Sequence, residues 1–246
     1  MFLATWTRIP GERIFEFPTV EMIEAVGNLP YVRSYDFRSE SSLLSRELYW
    51  APLPIDDMLL PENVTAEELN EFFTSGALRK SGAYVEMFPV FGINNPDLTD
   101  EQAGLISLTS GRFMKKAEIV DGAPVAIVSE GFAQINGLDV GSTFILEHNV
   151  YDDSAILSEA NWDADAILPF SLYHLDEFII FRQSVEFQIV GLFTVNLPFL
   201  FPDDVQRTQE MTLRTSSLYN QIYIPHRLLE DIERTVMPYR QEPDLY

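Results

Sequence analysis

The chain has 246 residues, 46% of them hydrophobic, and its 38 acidic residues outnumber its 16 Lys and Arg residues to give a formal net charge of −22. This length and composition predict one large domain or two small ones with apolar cores. So negative a chain, with no basic stripe in its sequence, excludes nucleic acid as a partner. The absence of cysteine excludes disulfides and thiol chemistry.

The first 37 residues have the pattern of strand, helix and strand. Residues 12–17 alternate between apolar and polar side chains, which predicts a strand, and Pro18 ends it. Thr19 begins a short helix that ends at Gly27, and residues 31–37 return to an extended conformation. This order is typical of an α+β unit.

A second helix is predicted over residues 65–76, because Thr65 and Glu68 form a capping box and a glycine follows at the end of the apolar pattern. Residues 53–58, before this helix, are predicted to be a loop. Residues 84–91, after it, are predicted to be a strand that precedes a turn.

The stretch at residues 104–141 is the one around which the other elements are organised. Its apolar run at residues 125–128 predicts a buried strand, and Ser129 directly after the run is a good helix N-cap. Gly137 is expected to end that helix in the left-handed region, and residues 143–146 predict the next strand.

Two details of this stretch concern its turns and its packing. The charged residues 115–118 are predicted to form a turn. In the helix after Ser129, Phe132 and Ile135 are three residues apart, so both are expected to face the core.

Beyond residue 150 the pattern is less regular. Residues 151–182 mix acidic and apolar residues and are interpreted as an insertion, whereas residues 187–194 alternate as a strand with a buried face does. Residues 219–224 predict a further strand. Pro225 then opens a helix whose apolar stripe contains Leu229, Ile232 and Val236.

Five short motifs follow one another along the chain: Gly111-Arg112-Phe113, then Val125-Ala126-Ile127-Val128-Ser129-Glu130, Ala133, Gly141 and Phe187-Gln188-Ile189-Val190-Gly191. This ordered set resembles the extracytoplasmic core domain of MacB-type ABC transporter permeases of bacteria, whose relatives include the lipoprotein-releasing permeases and FtsX. That family shows a Gly-Arg step, a V-A-V-I-S-like strand leading into a helix of small residues, a Gly turn and an apolar strand ending in V-V-G. The order and spacing fit over roughly residues 15–230.

The resemblance implies a domain on the extracytoplasmic side of the cell membrane, between membrane helices that lie outside these 246 residues. Its implied role is to couple ATP-driven movement of those helices to export of, or resistance to, peptides or other amphipathic substrates. ATP hydrolysis is then expected on a separate cytoplasmic ABC ATPase, so the domain itself would bind no cofactor and catalyse no reaction. A second permease copy is an implied partner, and an extracellular protein or peptide is another that the resemblance allows.

The same resemblance makes five residues structural motif positions, namely Gly111, Arg112, Ser129, Gly141 and Gly191. Two other classes of function stay open beside the permease reading. An FtsX-like binding module would recruit or activate a cell-wall hydrolase and show a stable protein partner. A secreted enzyme would turn over an ester, glycoside or peptide substrate.

The common catalytic motifs are absent from the sequence. It contains no glycine-rich phosphate loop and no G-x-S-x-G nucleophile elbow. His148, His174 and His226 have no metal-ligand spacing, so we assign neither catalytic nor metal-binding residues. A calcium site in the acidic segment is an alternative to a solvated loop, with the candidate ligands Asp152, Asp153, Asp163 and Asp165.

One segment without catalytic character is the candidate contact site. Phe199, Leu200 and Phe201 lie between two prolines and beside two aspartates, which disfavours a central strand. We interpret these three residues as a protruding apolar loop that contacts a partner or an amphipathic substrate. The alternative is that they fold back into the core.

The predicted fold class is α+β with two subdomains. Residues 1–105 and 213–246 are expected to form a discontinuous mixed-sheet subdomain, and residues 106–212 a smaller, strand-rich insert. Both ends of a domain between two membrane helices face the membrane, so residues near Ile9 and near Tyr239 are expected on one side of the fold. Gly111 and Gly141 are expected where a Cβ atom is costly.

Overall fold

The computed structural model describes residues 22, 25–26, 28–31, 38–51, 86–152, 155, 176–196 and 217–239. It divides the chain into two compact units, Met1–Phe37 and Arg38–Tyr246. In the first unit Met22, Ala25 and Val26 are helical, in agreement with the helix predicted after Thr19.

The described residues of the second unit form a strand-rich fold. Its strands are β1 (Arg38–Ser45), β2 (Glu86–Ile93), β3 (Ile106–Gly111), β4 (Val125–Ser129), β5 (Thr143–Tyr151), β6 (Ile179–Val195) and β7 (Ile222–Pro225). Its helices are α1 (Thr99–Gln102), α2 (Lys116–Asp121), α3 (Glu130–Ile135) and α4 (His226–Val236), with 3₁₀ turns at Ser217–Asn220 and Met237–Tyr239.

The seven described strands form one mixed sheet in the order β3-β6-β4-β7-β2-β1-β5. The sheet closes on itself, because Gln188 of β6 pairs with Val125 of β4 on one edge and with Thr143 of β5 on the other. The β2–β7 and β4–β6 pairs are parallel, and the other pairs are antiparallel. The α+β class predicted from the sequence is therefore confirmed.

Strands from both of the subdomains expected from the sequence share this sheet. β4 comes from the expected insert and β7 from the expected discontinuous subdomain, yet they are neighbours through the pair Ile127 and Tyr223. The boundary between the compact units falls after Phe37.

The strands β4 and β7 lie at the centre of the sheet with both faces covered. All five residues of β4 and all four of β7 are buried, which explains why each reads as a continuous apolar run rather than an alternating one. The strand predicted at residues 125–128 is confirmed. Successive residues of these strands enter two different apolar clusters on the two faces of the sheet.

The first cluster, here called the inner cluster, collects residues from all six strands of the closed ring and from helices α3 and α4. It contains Leu43, Phe88, Val90, Ala126, Val128, Phe132, Phe144, Leu146, Phe187, Ile189, Ile222, Ile224, Leu229 and Ile232 among its members. The outer cluster covers the opposite face of β4, β6 and β7 and includes Leu98, Ile106, Met114, Ile119, Ile127, Phe193 and Tyr223. Burying both faces of these strands supplies the apolar area that stabilises the fold.

Aromatic rings fill the centre of the inner cluster. Phe132 of α3 makes edge contacts with Phe88 and Phe144, with ring centroids 5.4 and 5.7 Å apart. Ile135, which was also predicted to face the core, is instead 37% exposed. The two buried residues of this helix are Phe132 and Ala133. The helix is only six residues long, which is fewer than two turns, and Ile135 is its last residue.

Helix α4 follows its sequence prediction. It begins directly after Pro225 and ends before Pro238. Its predicted stripe of Leu229, Ile232 and Val236 is buried, and the first two of these residues enter the inner cluster.

Two segments differ from their predicted local structure. Residues 115–118 contain the start of α2 rather than a turn, because the Glu118 carboxylate accepts the backbone N–H of Lys115 and so caps the helix. Residues 219–224, predicted as one strand, divide into a 3₁₀ turn and β7.

The interpretation of residues 151–182 as an insertion needs a correction at both ends. β5 continues to Tyr151 and β6 already begins at Ile179, and these ends pair with each other in an antiparallel ladder. β1 and β3 are strands that the sequence patterns did not predict. The strand at 12–17, the loop at 53–58 and the helix at 65–76 lie outside the described residues.

A buried polar network joins β1, α1 and β7. Arg38 donates to the Asp100 carboxylate at 2.7 Å, and the Tyr223 hydroxyl donates to the same oxygen at 2.5 Å. Burial and the neighbouring Asp100 charge raise the pKa of Tyr223 far above its usual range, so its hydroxyl keeps its proton and acts as a donor. The network fixes α1 against the sheet.

Candidate functional site

A shallow groove of about 420 Å³ lies where the end of β3 passes β6 and the turn that precedes β5. Its lining residues are Gly111, Arg112, Val140, Gly141, Gln188, Ile189 and Val190. Three of the five motif positions predicted from the sequence, Gly111, Arg112 and Gly141, therefore come together here. Gly191 lies beside them, since it pairs with Gly111 across the β3–β6 ladder.

Gly111 and Gly191 allow two backbones to come very close. Gly111 has φ of 72°, and a Cβ atom there would overlap the carbonyl oxygen of Val190. A Cβ atom on Gly191 would overlap the carbonyl oxygen of Arg112. Because both positions exclude a side chain on steric grounds, the junction of β3 and β6 requires a glycine on each strand.

Gly141 is required for a different reason. Its φ is 92°, and no atom lies within 4 Å of the position that a Cβ would take. Its N–H donates to the carbonyl oxygen of Ile189 at 2.8 Å, which closes the turn before β5 onto β6. The prediction of costly Cβ positions at Gly111 and Gly141 is confirmed by these backbone angles.

Arg112 is held by a bidentate ion pair at the edge of the groove. Its two terminal nitrogens donate to the two carboxylate oxygens of Glu118 at 2.7 and 2.6 Å, and its backbone N–H donates to Val190 at 2.9 Å. The hydrogen bond from Arg112 holds the pKa of Glu118 below its usual range, and the same bond raises the pKa of Arg112. The guanidinium thus positions α2 against the β3–β6 junction.

The Arg112–Glu118 pair predicts a pH-dependent contribution to stability. Because the folded pKa of Glu118 is lowered, the contribution is complete above its unfolded pKa of about 4.3 and is lost as the pH falls through the folded value. Glu118→Gln should therefore cost up to about 1 kcal/mol at pH 7, since the pair is partly solvated, and less at about pH 3, which lies below the unfolded pKa. Urea unfolding at both pH values measures this, with Glu101→Gln as the exposed control. An equal loss at both pH values would contradict the assignment.

Ser129, the fifth motif position, is the N-cap of α3 as predicted. Its hydroxyl oxygen accepts the N–H of Phe132 at 3.0 Å, and its O–H donates to the carbonyl oxygen of Tyr219 at 2.5 Å. One side chain therefore caps the helix and joins it to the 3₁₀ turn at Ser217–Asn220. Ser129 lies away from the groove.

Two asparagines that the sequence patterns did not identify hold a neighbouring segment of the chain. Asn136, at the C-terminal end of α3, and Asn220, in the 3₁₀ turn, each exchange two hydrogen bonds with one backbone residue, Tyr49 and Ala51 respectively. The pattern around Asn136 indicated only a helix end before Gly137. Nothing near Asn220 in the sequence indicates its role.

The remaining sequence candidates are spread over the fold. His148 is buried with its Nδ1 atom 3.8 Å from Glu233, and the Nδ1 atom of His226 is 2.8 Å from the Ser39 hydroxyl. His174 lies outside the described residues. Within the described ranges, no three His, Cys, Asp or Glu residues are grouped so that they could hold a metal ion.

The other candidate segments fall largely outside the part of the chain that the structure describes. This applies to Phe199, Leu200 and Phe201, to Ile9, and to Asp153, Asp163 and Asp165 of the proposed calcium loop. Asp152 is described, and its carboxylate accepts the N–H of Ala155 at 3.0 Å. The contact loop and the common side of the chain ends stay predictions.

No protein-family model and no curated protein matches this sequence. Among the described helices, none has the length and apolar character needed to cross a membrane.

Proposed function

We propose that this chain is the extracytoplasmic domain of an ABC transporter permease of the MacB and FtsX type. One observation supports the proposal most directly. The motif residues come from three separate parts of the chain and meet at one junction of β3, β6 and the turn before β5: Gly111 with Arg112, Gly141, and Gly191. A glycine motif is expected at positions where the fold cannot accept a side chain. Gly111 and Gly191 are such positions, because a Cβ atom on either would overlap a backbone carbonyl oxygen.

The closed sheet suits the mechanical role that the proposal assigns to the domain. A domain that transmits the movement of membrane helices has to move as one piece, so its elements must be fixed to each other. Here the ring of strands is filled by the inner cluster, and the outer cluster fixes α2, through Ile119, and the N-cap residue of α1, Leu98, against the opposite face. Close-packed interiors of this kind transmit displacement with little deformation.

In this proposal the energy comes from ATP hydrolysis on a separate cytoplasmic ATPase, which is connected to the domain through membrane helices outside these 246 residues. The domain itself carries out no reaction. A second copy of the permease and an exported peptide or amphipathic molecule are its partners. The contact residues proposed for that substrate are Phe199, Leu200 and Phe201.

A thiol-labelling experiment tests the location that the proposal requires. Glu186 is an exposed residue of β6, and the 246 residues contain no cysteine, so Glu186→Cys introduces a single thiol into the domain. In cells that express the full reading frame, a membrane-impermeant maleimide should label Glu186→Cys without permeabilisation. Ile189→Cys is the matched control, because that residue is fully buried and should react only after denaturation. Labelling of Glu186→Cys only in permeabilised cells would refute the proposal.

A purification experiment tests the partner. The full reading frame should encode apolar segments of ~20 residues on both sides of this domain, and the tagged product should co-purify with an ABC ATPase. Stimulation of that ATPase by an exported peptide supports a transporter. A stable complex with a cell-wall hydrolase, without such stimulation, would favour the FtsX-like binding module instead.

A further inference from the structure

The four residues 48–51, which follow the turn after β1, are here called the strap. The hydroxyl oxygen of Ser45 accepts the N–H groups of Glu47 and Leu48, both at 3.2 Å, and so turns the chain out of β1. The strap then runs from the C-terminal end of α3 to the 3₁₀ turn at Ser217–Asn220.

The strap is bound through its main chain by two side-chain amides. Asn136 Oδ1 accepts the Tyr49 N–H at 2.7 Å, and Asn136 Nδ2 donates to the Tyr49 carbonyl oxygen at 2.9 Å. Asn220 makes the same pair of contacts with Ala51, at 2.6 and 3.3 Å. In an extended chain the N–H and C=O groups of residues i and i+2 point to the same edge, so the two asparagines occupy the place of a neighbouring strand.

The surface beneath the strap is shaped for a peptide. A Cβ atom on Gly131 would lie 3.2 Å from the Cβ of Ala51, so the glycine leaves room for a small residue only. Leu48 and Ala51 are buried in the inner cluster, and Trp50 packs against that cluster. Asn220 is only 3% exposed with the strap in place, and its amide oxygen and nitrogen are both paired with the Ala51 main chain in this desolvated position.

We propose that Asn136, Gly131 and Asn220 form a main-chain binding site for an extended peptide, and that the strap is the internal ligand that fills this site. Paired amide contacts to N–H and C=O groups recognise a backbone independently of sequence, as an added strand does. The site therefore accepts a peptide from another molecule if that peptide has a small residue at the Ala51 position and an aliphatic one at the Leu48 position. The strap acts as an autoinhibitory segment that such a peptide displaces. This inference rests on the contacts of the strap and is independent of the proposed permease role.

Trp50 provides a reporter of strap release. The chain has three tryptophans, so Trp6→Phe with Trp162→Phe leaves Trp50 as the only one. The probe is a synthetic peptide of residues 45–53 with Trp50→Phe, and its control is the same peptide with N-methyl groups at Tyr49 and Ala51. The unmodified peptide should cause a saturable red shift of Trp50 emission, and the methylated peptide should not.

Substitutions in the strap and in the asparagine site should change peptide binding in opposite directions. Leu48→Ala weakens the anchoring of the strap without changing either asparagine, so the half-saturating peptide concentration should fall by about tenfold or more. Asn136→Ala should abolish binding of a fluorescein-labelled probe peptide, measured by anisotropy. Gln134→Ala, which removes an exposed amide of the same helix, should leave that binding unchanged.

Hydrogen exchange on the unchanged chain provides a readout that needs no substitution. Saturating probe peptide should accelerate exchange at the Tyr49 and Ala51 amides by about tenfold or more, while the amide of Ile127 in β4 keeps its rate. The proposal is overturned if the probe peptide neither shifts Trp50 emission in Leu48→Ala nor accelerates these two amides. Equal effects of the methylated peptide would overturn it as well, because main-chain recognition would then play no part.

Discussion

Gly111→Ala is expected to lower the free energy of unfolding by about 3 kcal/mol or more. Two costs add at this position. A non-glycine residue at φ of 72° loses about 1 to 2 kcal/mol through backbone strain. The new Cβ would also overlap the Val190 carbonyl oxygen and lie 3.0 Å from the Gly191 Cα, and overpacking of this kind costs about 1 to 3 kcal/mol. Chemical denaturation monitored by circular dichroism measures the loss.

Gly104→Ala is the matched control for this substitution. Gly104, which follows α1, has φ of 71°, but no atom lies within 4 Å of its Cβ position. It therefore reports the backbone strain alone, and a loss of about 1 to 2 kcal/mol is expected. Gly141→Ala belongs with this control, since its surroundings are equally open. If Gly111→Ala and Gly104→Ala lost the same stability, the close contact of β3 and β6 would not exist in solution.

Asp100→Ala is expected to lower the free energy of unfolding by about 3 kcal/mol. The substitution removes the acceptor of the Tyr223 hydroxyl, which is fully buried, and one acceptor of the Arg38 guanidinium. Leaving a buried donor without its acceptor costs about 1 to 3 kcal/mol, and breaking a charged pair adds to that loss. Thermal and urea unfolding should agree, and Glu101→Ala, next to it on α1 but exposed, should cost less than about 0.5 kcal/mol.

A double-mutant cycle separates this network from a simple loss of volume. Tyr223→Phe alone removes one hydroxyl and is expected to cost about 1 kcal/mol. In the background of Asp100→Ala the same change should cost nothing or be favourable, because the hydroxyl is then already without its acceptor. The coupling energy should lie in the range of about 0.5 to 3 kcal/mol. Additive losses would mean that Asp100 and Tyr223 do not interact.

Local sequence patterns were sufficient to predict the elements whose apolar residues are also the ones that the fold buries. The strand at residues 125–128 and the helix after Pro225 were predicted correctly because their apolar residues are the ones that the clusters bury. The helix end at Gly137 was also predicted, since its φ of 63° is one that few other residues adopt. In each case one short segment contains the whole signal.

Elements that depend on distant partners were missed. β1 reads as a polar Ser-rich segment, and it becomes a strand because β2 pairs with it along its whole length. β6 is 17 residues long, but only its second half is mostly buried, and the first half is held by the ladder with β5. Strand pairing of this kind depends on context more than on intrinsic preference.

The groove illustrates the same limit at the level of a site. Gly111 and Gly141 could be predicted as special positions because glycine has a recognisable backbone role. That Gly111 faces Gly191 could not be predicted, because the two residues are 80 positions apart and only the register of β3 on β6 brings them together. Asn136 and Asn220 were missed for a related reason, since their partners are main-chain atoms, which leave no trace in the sequence of the strap.

The place of β7 in the ring governs when the chain can fold during its synthesis. β7 lies between β2 and β4, although both of those strands precede it by a long stretch of chain. Until residues 222–225 have left the ribosome, β2 and β4 each keep an edge without its partner, and such edges invite pairing with other chains. Because β7 is the last of the described strands and lies between two earlier ones, the ring is expected to close only after residues 222–225 have been synthesised.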